Sequence, residues 1–172
     1  MGTYDKEGKA NFTTCAWVGP VSSEGPKMFI SLQKPRHAFA NMKENDAFTI
    51  CVIPCENVAA ADACGMCSGA KVDKFEMIGA KPLKSAKVNA PYCELCTQVY
   101  ECKLAEVKDL GMHTSFIGEV VGMLVRKDCL DENGQACLAS VDDPIFFAPQ
   151  GVYAQFEKTP LQKAYQTPKD AF

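Results

Sequence analysis

Val99-Tyr100-Glu101-Cys102-Lys103-Leu104-Ala105-Glu106-Val107 and, after a short interval, Phe116-Ile117-Gly118-Glu119-Val120-Val121-Gly122-Met123-Leu124-Val125 are the stretches that decide the fold class. In the first, Tyr100, Cys102 and Leu104 face one way and Glu101 and Lys103 the other, the period of a half-buried strand. The second is long, apolar and β-branched, with Gly118 and Gly122 where a barrel strand bends or bulges. Upstream, Ala47-Phe48-Thr49-Ile50-Cys51-Val52-Ile53 is a nearly continuous apolar run closed by Pro54, which reads as a buried strand. Met28 to Leu32 is a shorter strand. Asn11 to Val18 is a strand, or a strand opening into a loop, broken by Ser22-Ser23-Glu24-Gly25-Pro26. Ile145 to Ala148 is a last short strand before a polar tail.

Between these runs the period changes. After Pro35, Ala38, Phe39 and Met42 share one side of a short helix, with Asn41, Lys43 and Glu44 on the other. Residues 57–63 are Ala-rich and helix-prone. Residues 71–78 form another helical candidate, with Val72, Phe75 and Ile78 on one face and Gly79 placed to stop it. Asp5-Lys6-Glu7-Gly8 and Asp131-Glu132-Asn133-Gly134 are turns. No internal repeat or low-complexity segment interrupts the pattern. The expectation is a mainly β protein with short helices, built as a small barrel.

The 172 residues suffice for one domain with a sizeable core. Hydrophobic residues at 47% and charged residues at 23% are the balance of a globular chain. A formal net charge of -3 argues against a nucleic-acid partner. No apolar window is long enough to span a membrane, and the N-terminus lacks a signal pattern. Met1-Gly2 opens the chain, but Lys6 stands where myristoylation wants Ser or Thr. Ten cysteines with no leader point to reduced thiols in a cytoplasmic chain.

Several groups are equipped for chemistry. Lys34-Pro35-Arg36-His37 lies between a strand and a helix start, where backbone N–H groups and the helix dipole favour an anion; a solvated basic loop is the commoner use of such a cluster. Asn11 to Trp17 is rich in small hydrogen-bonding groups that could lie against a heteroaromatic ring, or form an ordinary half-buried strand. His113 at a strand start and Lys74 beside Phe75 are by themselves ordinary structural and surface residues. Cys64-Gly65-Met66-Cys67 and Cys93-Glu94-Leu95-Cys96 are two CxxC pairs, the spacing of four thiolates around zinc or iron. Buried or redox-exchanging thiols are the alternative. The helical pattern between the pairs speaks against a compact metal ribbon.

Taken together these segments resemble one family. Gly2-Thr3-Tyr4-Asp5, Gly8-Lys9, Asn11 and Ala16-Trp17 are similar to the opening of flavoredoxin-type proteins of the flavin reductase-like superfamily. Ile30-Ser31-Leu32 with Lys34, Arg36 and His37 continues the match, and Gly65-Met66, Ser68-Gly69 and Val72-Asp73-Lys74-Phe75 are its most specific part. Ala90-Pro91-Tyr92, Glu101-Cys102-Lys103, Gly111, His113, Phe116 to Val120 and Leu130 to Gly134 follow in order, so the resemblance covers about residues 2–153.

The resemblance implies an FMN-binding split β-barrel of Greek-key type over residues 1–155, with a C-terminal tail at 156–172. It implies a homodimer with FMN near the subunit interface. Asn11 and Trp17 would lie beside the ring or ribityl chain, with Thr13, Thr14, Cys15 and Ala16 reading the ring edge. Ser31 would belong to the cofactor site, Lys34, Arg36, His37 and Ala38 would surround the phosphate, and Lys74 would reach the phosphate or ribityl end. His113 and Phe146 would approach the flavin, from the same or from the other subunit. No residue is expected to act as a nucleophile. NAD(P)H would bind transiently as electron donor, since no Gly-rich dinucleotide fingerprint follows a strand. The functions implied are an FMN-dependent, flavin reductase-like oxidoreductase, or an electron carrier serving a redox protein partner. A thiolate metal protein using Cys64, Cys67, Cys93 and Cys96 is the reading from a different class. The sequence departs from the family at Ala38, where relatives have Thr or Ser, and in the two CxxC pairs. It also begins within the expected first strand, which predicts an exposed barrel edge.

Overall fold

The computed structural model describes residues 1–137, 140, 142–155 and 157–158. The expected tail at 156–172 lies outside the described residues except at 157–158. In chain order the elements are β1 (Gly2–Tyr4), β2 (Ala10–Phe12), β3 (Val18–Ser22), β4 (Lys27–Gln33), α1 (His37–Glu44), β5 (Ala47–Val52), α2 (Val58–Met66), α3 (Lys74–Met77), β6 (Pro82–Lys84), β7 (Pro91–Cys93), β8 (Gln98–Asp109), β9 (His113–Val125), β10 (Ile145–Phe147) and β11 (Val152–Ala154). Seven strands form one sheet in the order β2-β1-β5-β8-β9-β4-β3, with β6–β7 and β10–β11 as separate two-stranded ribbons. β1 is not an edge, because it pairs with both β2 and β5.

β2 and β3 are opposite edges of the main sheet, yet only residues 13–17 separate them in the chain. Laid flat, seven strands would hold their edges roughly 29 Å apart, at about 4.8 Å per spacing. The six steps from Phe12 to Val18 reach at most about 21 Å. The sheet therefore curls, and its edges approach across a slit bridged by residues 13–17. β2 and β3 do not pair, so the barrel is split, as expected, and its sheet is not closed.

Ile30 and Leu32 of β4, Phe48 and Ile50 of β5, Cys102 of β8 and Phe116 of β9 form the core inside the curl, with Phe39 and Met42 of α1 packed into it. Each fully buried large apolar side chain contributes about 1.5–3 kcal/mol. The β8–β9 register shifts twice, between Glu101 and Cys102 and between Leu104 and Glu106, which adds local twist to the longest hairpin. A Cβ on Gly118 would lie 2.6 Å from Phe48 Cζ and 2.8 Å from Cys102 Cβ, so only glycine lets the Phe48 ring rest on β9.

Three local expectations need correction. Asn41 does not face solvent: it is buried and its amide donates to Thr3 Oγ1 at 3.0 Å. Glu101 is not on a wet face either. The loop at 85–87 covers it, and its carboxylate accepts from the Ser85 hydroxyl, Ala86 N (2.9 Å) and Lys87 N (3.1 Å). The helix expected over 71–78 is confined to Lys74–Met77, because Asp73 caps it by accepting from the amides of Phe75 and Glu76. The β6–β7 ribbon and β11 are elements that periodicity did not reveal, each strand being only three residues long.

Gly118→Ala is expected to lower stability by about 1–3 kcal/mol through overpacking, read from urea denaturation at constant m-value. Burial pushes the Glu101 carboxyl up, but the Ser85 hydroxyl and the two amides outweigh it and hold it below the usual value. A carboxyl depressed in the folded state contributes stability above its unfolded pKa and loses it as pH falls through the folded value. Melting temperatures on the acid side should accordingly fall less steeply with pH in Glu101→Gln than in the wild type; identical slopes would refute that role.

Candidate functional site

Two hollows meet at Thr13 and Arg36. The first is a polar cleft of about 310 Å³ between Pro35–Ala38, at the start of α1, and Met66–Gly69, after α2, with Thr13 and Lys74 behind. No side chain caps the α1 N-terminus. The second is a largely apolar cavity of about 530 Å³ that runs from the 13–16 segment into the curl of the sheet. Met28, Ile30, Ile50, Cys51 and Tyr100 wall it from the sheet, and Phe146 and Tyr153 wall it from the β10–β11 ribbon. That ribbon is tied down by the Tyr153 hydroxyl, which donates to Asp62 Oδ1 at 3.2 Å.

The cleft is built for an anion. Lys74 is 4% exposed, and its ammonium donates to Cys64 O at 2.6 Å and Thr13 Oγ1 at 3.2 Å. Among the described residues no carboxylate pairs with it, since neighbouring Asp73 caps α3 and pairs with Lys9 at 3.4 Å. Burial, seconded by the nearby Arg36 guanidinium, lowers the Lys74 pKa. An uncompensated buried charge is costly, and a bound anion would relieve it. Behind the cleft, Asn11 Oδ1 and Nδ2 are buried without a hydrogen-bond partner among the described residues. A Cβ on Gly69 would lie 2.0 Å from Asn11 Oδ1 and 2.9 Å from His37 Cδ2, so glycine is required where the cleft meets that amide.

The bridge offers a second set of donors. Thr13 N–H is spent on Met1 O at 3.0 Å, but the amides of Thr14, Cys15 and Ala16 donate to no acceptor among the described residues. All three line the apolar cavity. The Thr14 hydroxyl instead donates to Ala61 O, holding the bridge against α2.

The structure brings together Asn11, Thr13, Thr14, Cys15, Ala16, Arg36, His37, Ala38, Lys74 and Phe146 around the two hollows. Phe146 lines the cavity of its own chain. Ser31 contributes through its backbone, its N–H donating to Trp17 O at 2.9 Å and fixing the end of the bridge. Trp17 is 56% exposed, and His113 packs edge-on against it at 6.4 Å, both outside the lining of the two hollows. Lys34 stands apart from the cleft, its ammonium 2.7 Å from Asp109 Oδ2 in a third hollow bordered by Phe39 and Phe116. Gly65 lines the cavity and Ser68 and Gly69 line the cleft, places the resemblance does not assign. A polar Gly-rich turn before an Asp-capped helix is the signal that could have identified them. The cavity walls Ile50, Cys51 and Tyr100 had no signal beyond strand alternation.

The CxxC pairs do not converge on one tetrad. Cys67 lines the polar cleft, whereas Cys64, Cys93 and Cys96 are buried in a second core cluster with Phe12, Phe75 and Val99. Among the described residues no group of three or more His, Cys, Asp or Glu is arranged to hold a metal ion. No helix among them is long and apolar enough to cross a membrane.

The model of the flavin reductase like domain matches residues 1–153. The chain belongs to the flavin reductase-like domain family. Among solved structures it is similar to flavoredoxin of Desulfovibrio vulgaris (Miyazaki F), 33% identical with a TM-score of 0.90, covering 96% of this chain and 88% of that one. Flavoredoxin from Methanosarcina acetivorans is 24% identical with a TM-score of 0.89, over 98% and 88% of the two chains, and shares the fold. In sequence, an FMN reductase (NADH), RutF, of Bradyrhizobium diazoefficiens is 25% identical over 131 residues, 75% of this chain and 68% of that protein. An uncharacterized protein of Archaeoglobus fulgidus is 29% identical over 113 residues, 66% of this chain but only 64% of its own length.

Inorganic phosphate should raise the melting temperature of the flavin-free protein, and Lys74→Met should weaken phosphate binding by about 10–100-fold through loss of a charge-assisted hydrogen bond. Equal shifts in both proteins would remove Lys74 from the anion site.

Proposed function

We propose that this chain binds FMN, with the phosphate in the polar cleft and the ring in the apolar cavity, and works as an NAD(P)H-dependent oxidoreductase of flavin reductase type. The observation that carries this reading is the Asn11 amide, unpartnered among the described residues, and the buried, carboxylate-free Lys74 at the junction of a polar cleft with an apolar cavity. The residues fit the cofactor: the cleft supplies positive charge and free helix-start amides, and the cavity supplies apolar walls edged by three unused N–H groups. The names of two sequence relatives point the same way, an FMN reductase (NADH) and the ferric-chelate reductase (NAD(P)H) of Archaeoglobus fulgidus, the latter 27% identical over 135 residues.

FMN would supply the exchange of one or two electrons, and the protein supplies binding, orientation and electrostatics. Lys74 and Arg36 hold the phosphate, with the amides of His37 and Ala38 beneath it, so the missing hydroxyl at position 38 costs one side-chain contact and leaves the backbone donor. Ser68 borders the same cleft. The amides of Thr14, Cys15 and Ala16 are the donors for the polar edge of the ring, where they favour the negative charge that reduction places there. Phe146 and Tyr153, with ring centroids 5.0 Å apart, exclude water from one side of the cavity.

The same reading makes the protein a homodimer. Trp17, Val107, Leu110, Met112, Ile145 and Phe147 are all at least 49% exposed, apolar surface that a second copy would cover. A second copy packed there would bury Trp17, whose neighbours Ala16 and Val18 line the cavity, and His113 beside it. Sedimentation velocity is expected to give a species of twice the chain mass, and a monomer at all concentrations would refute the dimer.

Titration of the flavin-free protein with FMN and with riboflavin tests the whole assignment. FMN should bind at least tenfold more tightly, because only FMN engages the cleft, and Lys74→Met should remove most of that preference. Anaerobic addition of NADH or NADPH to the FMN-loaded protein should bleach the flavin bands. Equal affinity for the two flavins would contradict the cleft assignment, and unbleached bands would contradict the donor.

A further inference from the structure

Cys67 ends the turn that holds both cations of the polar cleft. α2 stops at Met66, and Cys67 N–H closes the helix by donating to Ala63 O at 3.3 Å. Two carbonyls of that last turn hold the positive charge of the cleft. Cys64 O accepts from the Lys74 ammonium at 2.6 Å, and Gly65 O accepts from Arg36 Nη1 at 2.9 Å. Cys67 itself is half-buried, a free thiol, and lines the cleft with Arg36, His37, Gly69 and Lys74. Of the ten cysteines it is the one at the cleft: Cys15 and Cys51 line the apolar cavity instead, and five others are buried. A separate observation marks this cleft as a place for a ligand. The Asn11 side chain is 5% exposed, and its Oδ1 and Nδ2 have no hydrogen-bond partner among the described residues. Its Oδ1 lies against Gly69 beside His37, since a Cβ on Gly69 would be 2.0 Å from it and 2.9 Å from His37 Cδ2. Both residues line the cleft, so this amide is directed at the space that the Cys67 thiol borders.

We propose that Cys67 is a modification site, at which thiol–disulfide exchange with a small, carboxylate-bearing disulfide closes the cleft to phosphate. This rests on the reading of the cleft as the phosphate site. In the exchange the Cys67 sulfur forms a new S–S bond with one sulfur of the disulfide, whose own S–S bond breaks. The other half leaves as a thiol, taking up the proton that Cys67 loses. Cys67 is oxidised and the leaving half reduced, so the disulfide is the only oxidant required. A small thiol in excess reverses the exchange.

Charge selects the reagent. Arg36 and Lys74 attract an anion, and no carboxylate among the residues lining the cleft opposes them. An anionic disulfide is thus concentrated at Cys67 where a neutral one is not, and steering of this kind raises encounter rates by about tenfold or more. The same two cations then hold the carboxylate of the captured half. In about 310 Å³ an incoming phosphate meets both the bulk of the adduct and its negative charge. Cofactor loading thereby responds to the surrounding thiol–disulfide balance, through a residue that the flavin chemistry itself does not use.

The test follows the coloured thiol released when native, flavin-free protein reacts with dithiobis(nitrobenzoate), which carries carboxylates, and with neutral dithiodipyridine. A single thiol should react with the anionic reagent ahead of the rest. Peptide mass mapping should place the mixed disulfide at Cys67, and Cys67→Ser should lack this phase. Inorganic phosphate should slow it to saturation, over the concentrations that raise the melting temperature. Arg36→Gln should slow the anionic reagent about tenfold and leave the rate of the neutral one unchanged. After modification, phosphate should no longer raise the melting temperature of the wild type until dithiothreitol removes the adduct. Cys67→Ser should respond to phosphate alike with and without reagent treatment. A fast phase at Cys15 or Cys51 overturns the proposal and leaves the phosphate cleft standing. So does a Cys67 phase that phosphate leaves unchanged while still raising the melting temperature. Absence of any phosphate effect on melting or on rate overturns the cleft reading and this proposal with it.

Discussion

Residues 13–17 are the short path between the two edges of a seven-stranded sheet, and the rest of the molecule is arranged around that length. A segment that cannot reach across a flat sheet forces curvature, and curvature creates an interior. Part of that interior is filled by Ile30, Phe48, Ile50 and Phe116, and part is left as the cavity beneath the bridge. Only the ends of the segment join the flanking strands, Thr13 through Met1 and Trp17 through Ser31. Its amides at Thr14, Cys15 and Ala16, which have no acceptor among the described residues, consequently face the apolar cavity unused. Fold and site thus share one cause, the shortness of the connection.

The polar cleft has its own logic. Folding buries Lys74 against Thr13 and the Cys64 carbonyl, and it buries the Asn11 amide with no partner among the described residues. Both features oppose stability in the ligand-free chain. They persist beside a glycine whose Cβ would collide with Asn11, and beside a helix start with no capping side chain. Strain of this kind, unmet in several neighbouring groups at once, marks a place completed by a ligand rather than by the chain.

Much of this was legible in the sequence where a local pattern carried it. The alternation in Val99–Val107 and the β-branched run after Phe116 gave the central hairpin, and Pro35 with Ala38, Phe39 and Met42 gave α1. Glu101 and Asn41 defeated the same reasoning because their burial depends on the loop at 85–87 and on Thr3, partners distant in sequence. Likewise Lys34 and Arg36 are indistinguishable in a basic cluster, and only the register of β4 with β9 sends Lys34 to Asp109. Lys74 is a surface residue by composition and a buried one in fact, a difference visible from the motif around it and not from helical periodicity. The CxxC pairs showed the converse. Their spacing suggested one four-thiolate site, while the fold divides them, leaving Cys67 at the polar cleft and Cys64, Cys93 and Cys96 in an apolar cluster.

The central claim is that one ligand satisfies the cleft and the cavity together. A crystal structure of the protein grown with FMN tests it most directly. The account predicts phosphate density in the cleft between Arg36 and Lys74, continuous with ring density against Thr14, Cys15 and Ala16. Phosphate density beside Lys34 and Asp109, or a ring outside the curl of the sheet, would contradict it.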